Sequence, residues 1–142
     1  MSDKCLDYAM HYIYRFPKTE KELRIQLLKK WFSDEEADFV ISNLKEKWYV
    51  DDRKFAEAYI NSELSKKWKP IIVIKSKLLS KWIKRNIVDD VLDKEQENID
   101  EATSNAIRKD IEKMKKKGLE WFDIIQKLLS KWYTMRDIKK VI

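Results

Sequence analysis

Apolar residues recur at fixed positions around three tryptophans, and the pattern repeats about every fifty residues. Trp31, Trp82 and Trp132 are 51 and 50 positions apart, and the sequences around them align without gaps. A Leu or Ile stands eight residues before each tryptophan, and a Leu pair stands four and three residues before it, which predicts one apolar face of a helix. These residues are Leu23, Ile74 and Ile124, followed by Leu27/Leu28, Leu78/Leu79 and Leu128/Leu129.

A second apolar face follows each tryptophan. The next residue is apolar or aromatic, and further apolar residues stand at the sixth, ninth and tenth positions, as expected for a helix that packs on one side. This face comprises Phe32, Ala37, Val40 and Ile41 in the first copy, Ile83, Val88, Val91 and Leu92 in the second, and Tyr133, Ile138, Val141 and Ile142 in the third.

Each copy also contains an earlier amphipathic helix, predicted at about 4–15, 52–67 and 96–117. The sequence therefore predicts an all-α protein of three tandem three-helix repeats, with boundaries 1–50, 51–94 and 95–142. A unit of this size cannot bury its apolar face alone, so we expect the repeats to stack into an elongated, curved, right-handed-type helical array.

Helix-start signals agree with this division. Thr19 with Glu22 and Ser33 with Glu36 have the spacing of capping boxes. Pro70 suits the first turn of the middle helix of the second repeat, because a proline there sacrifices no helical hydrogen bond.

The composition supports helices and suggests an acidic partner. Charged residues make up 39% of the chain and only two residues are proline, which favours solvated amphipathic helices over sheets. The net charge of +6 favours nucleic acid or an acidic protein as partner, although ordinary solubility also explains it. Residues 1–50 have equal numbers of basic and acidic side chains, so the positive charge belongs to the later repeats.

The compartment can also be predicted. One cysteine, Cys5, excludes an internal disulfide, and the first residues lack the apolar segment of a signal peptide. No apolar run reaches the roughly 20 residues needed to span a bilayer. We expect a cytoplasmic monomer without membrane contact.

Five tryptophans stand where helices are predicted to end after a basic residue, a place where glycine is usual because the residue adopts a left-handed conformation. A residue with a side chain in this conformation lowers the stability of the fold by about 1–2 kcal/mol, so five such residues would lower it by about 5–10 kcal/mol. The chain has one glycine and six tryptophans. One hypothesis is that five are UGA codons read as glycine in the source organism, whereas Trp121 near a helix start is genuine. The five are Trp31, Trp48, Trp68, Trp82 and Trp132.

Two alternatives keep these tryptophans. Each follows a basic residue, so the side chains could stack on nucleic-acid bases or anchor a protein partner. They could also belong to the core, as regularly spaced aromatic residues usually do.

Basic residues cluster at three predicted helix ends and are candidates for contacts with an acidic protein or with DNA phosphates. A solvated face, or lysines that favour the dipole of a helix C-terminus, is the structural alternative. The candidates are Lys66, Lys67 and Lys69; Lys81, Lys84 and Arg85; and Lys113, Lys115, Lys116 and Lys117.

No catalytic or metal-binding pattern is present, so we expect neither an enzyme nor a cofactor. Asp51 and Asp52 are predicted helix caps, and Asp89 and Asp90 a solvated face. His11 is predicted to be half-buried in a helix, and Cys5 to be a packing residue.

Three stretches resemble the RecX family of small helical-repeat proteins, over nearly the whole chain. "TEKELRIQLLKKWF" is similar to the family pattern through Thr19, Glu22, Leu23, Leu27, Lys30 and Phe32. "VDDRKFAEAYINS" matches at Val50, Asp51, Asp52, Phe55, Ala56 and Tyr59, and "KLLSKWIKRNIVDDVL" matches at Leu78, Lys81, Ile83, Val88 and Leu92.

The resemblance implies a regulator that binds the groove of the filament formed by the RecA recombinase on DNA and lowers its ATP hydrolysis and strand exchange. The partners would be this nucleoprotein filament and single- or double-stranded DNA. The chain departs from the family at Glu63, where arginine is common, and at Lys69–Ile74, where a basic "G-P-R-R-I" is common. Direct DNA binding by a basic helical protein, or an adaptor for another acidic protein, remain the alternative functions.

Overall fold

The structure is a computed structural model that describes residues 3–142, and within that range all regular elements are α-helices. The all-α class and three successive groups of three helices are therefore as predicted. The helices are α1 (Asp3–Arg15), α2 (Glu20–Lys29), α3 (Asp34–Glu46), α4 (Asp52–Leu64), α5 (Ile71–Ser80), α6 (Arg85–Lys94), α7 (Gln96–Lys116), α8 (Trp121–Ser130) and α9 (Met135–Val141).

Both predicted capping boxes are present. The Thr19 hydroxyl accepts a hydrogen bond from the Glu22 N–H at 3.2 Å, and the Thr19 N–H donates to the Glu22 carboxylate at 3.1 Å. Ser33 and Glu36 form the same reciprocal pair at the start of α3. A further cap, from Thr134, starts α9. Each box satisfies N–H groups that a helix N-terminus leaves without internal partners.

Helix α4 ends at Leu64, three residues before its predicted end. The N–H groups of Ser65 and Lys66 bond to carbonyls three residues earlier, at 3.3 and 3.2 Å, which tightens the last turn and stops the helix. Pro70 stands just before α5, one residue earlier than predicted, and its carbonyl accepts from the Val73 and Ile74 N–H groups.

One compact unit contains the described residues up to Tyr59, together with Lys75–Val91. Helices α1, α2 and α3 enclose a core in this unit, against which Phe32 and several aromatic residues of α1 pack from its edge. The core residues are Cys5, Ala9, Leu23, Leu27, Ala37, Val40, Ile41, Leu44 and Val50.

A second compact unit contains Ile60–Ile74 and Leu92–Ile142. Its core lies between α7, α8 and α9, and the Tyr133 hydroxyl donates to Asp110 at 2.9 Å. Burial and this hydrogen bond raise the pKa of Tyr133. The core residues are Ile107, Ile111, Met114, Ile124, Leu128, Tyr133 and Ile138.

Residues of the second repeat are distributed over both units, because α4, α5 and α6 each contribute residues to both. The compact units thus follow packing and differ from the sequence repeats. On the basis of the repeating apolar pattern in the sequence, we propose the boundaries 1–50, 51–94 and 95–142 for the three repeats.

Most positions predicted to be buried by the repeat are buried. The residues eight and four positions before Trp31, Trp82 and Trp132 are at most 3% exposed. The exceptions include the second leucine of two pairs, Leu28 and Leu129, which are 38% and 43% exposed, and Ile142, which is 60% exposed. Adjacent residues on a helix point about 100° apart, so only one leucine of a pair faces the core.

The N-terminus of α2 receives a carboxylate from another helix. The Asp52 Oδ1 accepts the Glu20 N–H at 2.9 Å, so Asp52, predicted to cap its own helix, caps α2 instead. Burial raises the pKa of Asp52, which outweighs the lowering by this hydrogen bond. The ionised carboxylate therefore bears a desolvation penalty at neutral pH while it performs this capping.

Replacement of a buried repeat leucine should unfold the protein more easily. We expect Leu78→Ala and Leu128→Ala each to lower the free energy of unfolding by about 2–5 kcal/mol, since both side chains are fully buried. Urea denaturation followed by circular dichroism measures this loss. Leu129→Ala, next to Leu128 but exposed, is the matched control and should change stability by less than about 0.5 kcal/mol. Equal losses at 128 and 129 would contradict the burial pattern.

Two variants of Asp52 separate its hydrogen bond from its charge. Asp52→Ala removes the acceptor for the Glu20 N–H and should cost about 1 kcal/mol at pH 7. Asp52→Asn keeps an acceptor and removes the desolvated charge, so this variant should be at least as stable as the parent at pH 7. Because the raised pKa means that the parent gains stability as its carboxyl protonates, any advantage of the asparagine should disappear below about pH 4. Thermal unfolding between pH 3 and pH 8 measures both; equal losses in the two variants would contradict the assigned role of the charge.

Candidate functional site

Lys84 and Arg85 form the strongest candidate for a contact with an acidic partner. Helix α5 ends at Ser80, and a short turn leads to Arg85, the first residue of α6. The carbonyl of Lys84 accepts the Ile87 and Val88 N–H groups at 3.0 and 3.1 Å, so Lys84 occupies the N-cap position. Both basic side chains are exposed, and within the described residues neither forms an ion pair.

The position of these two cations is unfavourable for α6 itself. A helix N-terminus carries partial positive charge, so basic residues there are repelled by the helix dipole and acidic ones are favoured. The first turn of α6 contains no acidic residue. Helix stability therefore does not explain Lys84 and Arg85.

Lys81, predicted to belong to the same contact surface, has an internal role. Its ammonium lies 3.2 Å from the Glu22 carboxylate and 5.6 Å from the centre of the Phe55 ring. Its backbone carbonyl accepts the Thr19 hydroxyl at 2.9 Å. Burial raises the pKa of Glu22, but hydrogen bonds from Thr19 and Lys81 lower it by more, so the net pKa is lowered. Lys81 thus stabilises a half-buried carboxylate and is unavailable as a simple surface cation.

Two of the three lysines in the turn after α4 form ion pairs with Glu63. The Glu63 side chain is only 6% exposed, and the ammonium groups of Lys69 and Lys66 lie 2.7 and 3.5 Å from its oxygens. The hydrogen bond from Lys69 lowers the pKa of Glu63. Of this cluster, Lys67 is exposed and has no ion pair in the described part of the chain. Lys66 and Lys69 neutralise a buried acid, a role that the sequence analysis did not assign.

The four lysines near the end of α7 are all exposed. Lys116 pairs with Glu112 one turn earlier at 3.5 Å, and the Lys115 ammonium lies 4.4 Å from the centre of the Trp121 ring. Cations are stabilised at a helix C-terminus. Helix stability thus explains much of this cluster of Lys113, Lys115, Lys116 and Lys117.

The stretch 50–59 is structural. Asp51 caps α4, because its Oδ1 accepts the N–H groups of Arg53 and Lys54 at 3.0 and 3.2 Å. Ala56 is fully buried, and the rings of Phe55 and Tyr59 stack with centres 6.5 Å apart. These contacts hold α4 in place.

Asp89 and Asp90 lie on a partly exposed face, and each also has a basic partner. Lys75 lies 2.8 Å from the Asp89 carboxylate, and Arg53 binds Asp90. His11 is more exposed than predicted, and its Nδ1 forms a hydrogen bond with the Asp7 carbonyl at 2.8 Å. The partners of the two aspartates lie on other helices, which sequence spacing does not reveal.

Four of the five tryptophans predicted at helix ends have a left-handed backbone. Their φ angles are 69° at Trp31, 65° at Trp48, 63° at Trp82 and 76° at Trp132, and all four side chains are exposed. A core role is therefore wrong for these four.

Trp68 behaves differently and corrects the expectation for this position. It is not among the described residues with positive φ. Its indole N–H donates to the Thr103 hydroxyl at 3.0 Å, and its ring lies 4.2 Å from the Tyr133 ring. The structural reason for expecting glycine at position 68 is absent, and Trp68 packs against the core of its unit.

The described residues contain neither a metal-binding cluster nor a membrane-spanning helix. Over the range 3–142, His, Cys, Asp and Glu side chains form no group of three or more that could hold a metal ion. No helix in the same range has the length and apolar character needed to cross a membrane. Cys5 is buried as predicted, and burial raises the pKa of its thiol.

Comparison with solved structures identifies the fold. The crystal structure of RecX from Lactobacillus salivarius superimposes with a TM-score of 0.80 over 97% of this chain and 92% of that chain, at 22% sequence identity. A second structure, of a regulatory protein RecX, gives a TM-score of 0.74 over 99% of this chain and 70% of the other. At these identities the similarity establishes the fold alone.

Sequence comparison establishes the family. Residues 5–44 match the family model described as "RecX, first three-helix domain". The regulatory protein RecX of Clostridium acetobutylicum is 32% identical over 94% of this chain and 65% of its own length. The chain thus spans slightly less than two thirds of that relative. The regulatory protein RecX of Haemophilus influenzae is 30% identical over 77% of this chain and 72% of its own length. The chain belongs to the RecX family of regulatory proteins.

Proposed function

We propose that this protein regulates RecA by binding in the groove of the RecA–DNA filament, where it lowers ATP hydrolysis and strand exchange. The observation that carries this proposal is the relationship to regulatory proteins named RecX, which extends over 94% of the chain. The regulator itself is proposed to perform no chemistry and to need no cofactor. It would act as a monomer in the cytoplasm, where the filament forms.

Lys84 and Arg85 are the residues that we assign to the filament contact. They are exposed cations, they have no ion pair in the described part of the chain, and the dipole of α6 opposes them. An anionic groove of DNA phosphates and acidic side chains would supply the missing counter-charge. Lys67 and the exposed lysines at the end of α7 could add long-range attraction, since the chain carries a net charge of +6.

Addition of the protein should inhibit RecA at less than one molecule per RecA subunit. A regulator that bridges neighbouring subunits in the groove affects several subunits at once. The test is the DNA-stimulated ATP hydrolysis of the host's RecA, titrated with the folded protein. Unchanged hydrolysis, together with no binding to the filament, would refute the proposal and leave a RecX fold with another partner.

Charge reversal at the contact should weaken the inhibition. We expect Lys84→Glu combined with Arg85→Glu to raise the half-inhibitory concentration about tenfold or more, which corresponds to about 1.4 kcal/mol of binding energy. Helicity should be unchanged and α6 should become more stable, because acidic residues suit its N-terminus. Lys81 is left unchanged in this variant because its ammonium pairs with Glu22.

Lys109→Glu combined with Lys127→Glu is the matched control. Both lysines are exposed and lie on other helices. Their replacement changes the net charge by the same amount as the Lys84 and Arg85 replacements. An equal loss of inhibition in the two double variants would mean that overall charge, rather than the start of α6, determines binding.

Dependence on RecA distinguishes binding to the filament from binding to DNA alone, and salt dependence distinguishes DNA binding from binding to another acidic protein. Binding through phosphate contacts weakens steeply as the salt concentration rises. Fluorescence anisotropy with labelled single- and double-stranded DNA, with and without RecA, separates the two modes. Binding that needs RecA supports the proposal, whereas equally strong binding to bare DNA would favour direct DNA binding.

A further inference from the structure

Five helices of this protein end in the same way. After α2, α3, α5, α7 and α8, one residue has φ between 63° and 81° and the chain then turns toward the next helix. Four of these residues are written as tryptophan, and the fifth, after α7, is Gly118, with φ of 81°. Position 118 is therefore an internal example of what the same turn looks like with glycine.

At all five ends the N–H of the left-handed residue donates to the carbonyl three residues earlier, and after α2, α3 and α7 the next N–H also donates to the carbonyl five residues before it. After α7, the Gly118 N–H donates to the Lys115 carbonyl at 2.9 Å and the Leu119 N–H donates to the Met114 carbonyl at 3.1 Å. After α2, the Trp31 N–H donates to the Leu28 carbonyl and the next N–H donates to the Leu27 carbonyl, at 3.0 and 3.2 Å. The end of α3 repeats both bonds. This is the Schellman motif, in which the left-handed residue is usually glycine.

The tryptophan side chains at these ends form few contacts that could offset the free-energy cost of the left-handed backbone. Trp31 is 94% exposed, and Trp82, the least exposed of the four, is still 55% exposed. Trp48 has one long contact, with the Lys54 ammonium 6.0 Å from its ring centre. At Gly118, an added Cβ would meet no atom within 4 Å, so the left-handed φ alone opposes a side chain there.

The side chains of the other two tryptophans make specific contacts within the fold. Trp68 donates a hydrogen bond to Thr103 and packs on Tyr133, and Trp121 opens α8 beneath the Lys115 ammonium. Neither is among the described residues with positive φ. Four of the six tryptophans thus have a left-handed backbone and exposed side chains, whereas Trp68 is packed and Trp121 contacts a cation without backbone strain.

We propose that residues 31, 48, 82 and 132 are glycine in the functional protein, because their codons are UGA and the source organism decodes UGA as glycine. Trp68 and Trp121 are tryptophan, encoded by UGG. The consequence for function is that the exposed indoles are no binding surface, so no base-stacking or aromatic anchoring to a partner is assigned to these four positions.

The nucleotide sequence and the native protein test the proposal directly. We expect UGA at codons 31, 48, 82 and 132 and UGG at codons 68 and 121. Peptide mass spectrometry of the protein from its source organism should then find glycine at the four positions. UGG at the four codons, or native peptides that contain tryptophan there, would overturn the proposal; neither result depends on RecA binding.

Stability provides an independent test with a built-in control. The variant with Trp31→Gly, Trp48→Gly, Trp82→Gly and Trp132→Gly should melt more than about 10 °C above the protein as written. Trp68→Gly should melt at a lower temperature, because it loses the Thr103 hydrogen bond and the Tyr133 contact. A lower melting temperature for the fourfold variant would contradict the inference.

Discussion

The left-handed turn at the end of the central helix of each repeat is the constraint on which the rest of the fold depends. Helix α2 ends at Lys29 and α3 begins at Asp34, so only a few residues reverse the chain. Positive φ at position 31 directs Phe32 toward the first core and leaves Ser33 in place to cap the next helix. A residue that could not adopt this conformation would displace both the apolar contact and the cap.

Polar contacts in the first unit complete the ends of helices that the turns bring together. Thr19 is fully buried, and its hydroxyl accepts the Glu22 N–H while it donates to the Lys81 carbonyl. The same group therefore satisfies the start of α2 and a carbonyl just beyond the end of α5. Asp52 adds a second acceptor at the start of α2. Helix ends are where backbone groups lack internal partners, so a few side chains from distant parts of the chain stabilise the assembly of these helices.

The helices and the main buried face could be predicted from the sequence because both follow from local periodicity. Which basic residues have partners within the fold could not be predicted, since Lys81 pairs with Glu22, which is 59 residues away in the chain. Trp68 was predicted as a helix end on its basic neighbours alone. An apolar or aromatic residue follows Trp31, Trp48, Trp82, Trp132 and Gly118, whereas Lys69 follows Trp68. That difference is visible in the sequence and distinguishes the left-handed helix ends from the segment that carries Trp68.

The positions of the basic residues relative to helix ends distinguish cations that stabilise the fold from cations that do not. Lysines at the end of α7 lie where the helix dipole favours them, and Lys66 and Lys69 neutralise Glu63. Lys84 and Arg85 lie where the dipole of α6 opposes them. An anion bound at this end would relieve that repulsion, so part of the binding free energy would come from removing an unfavourable interaction of the free protein. The same argument explains why a neutral partner would gain no such energy at the start of α6.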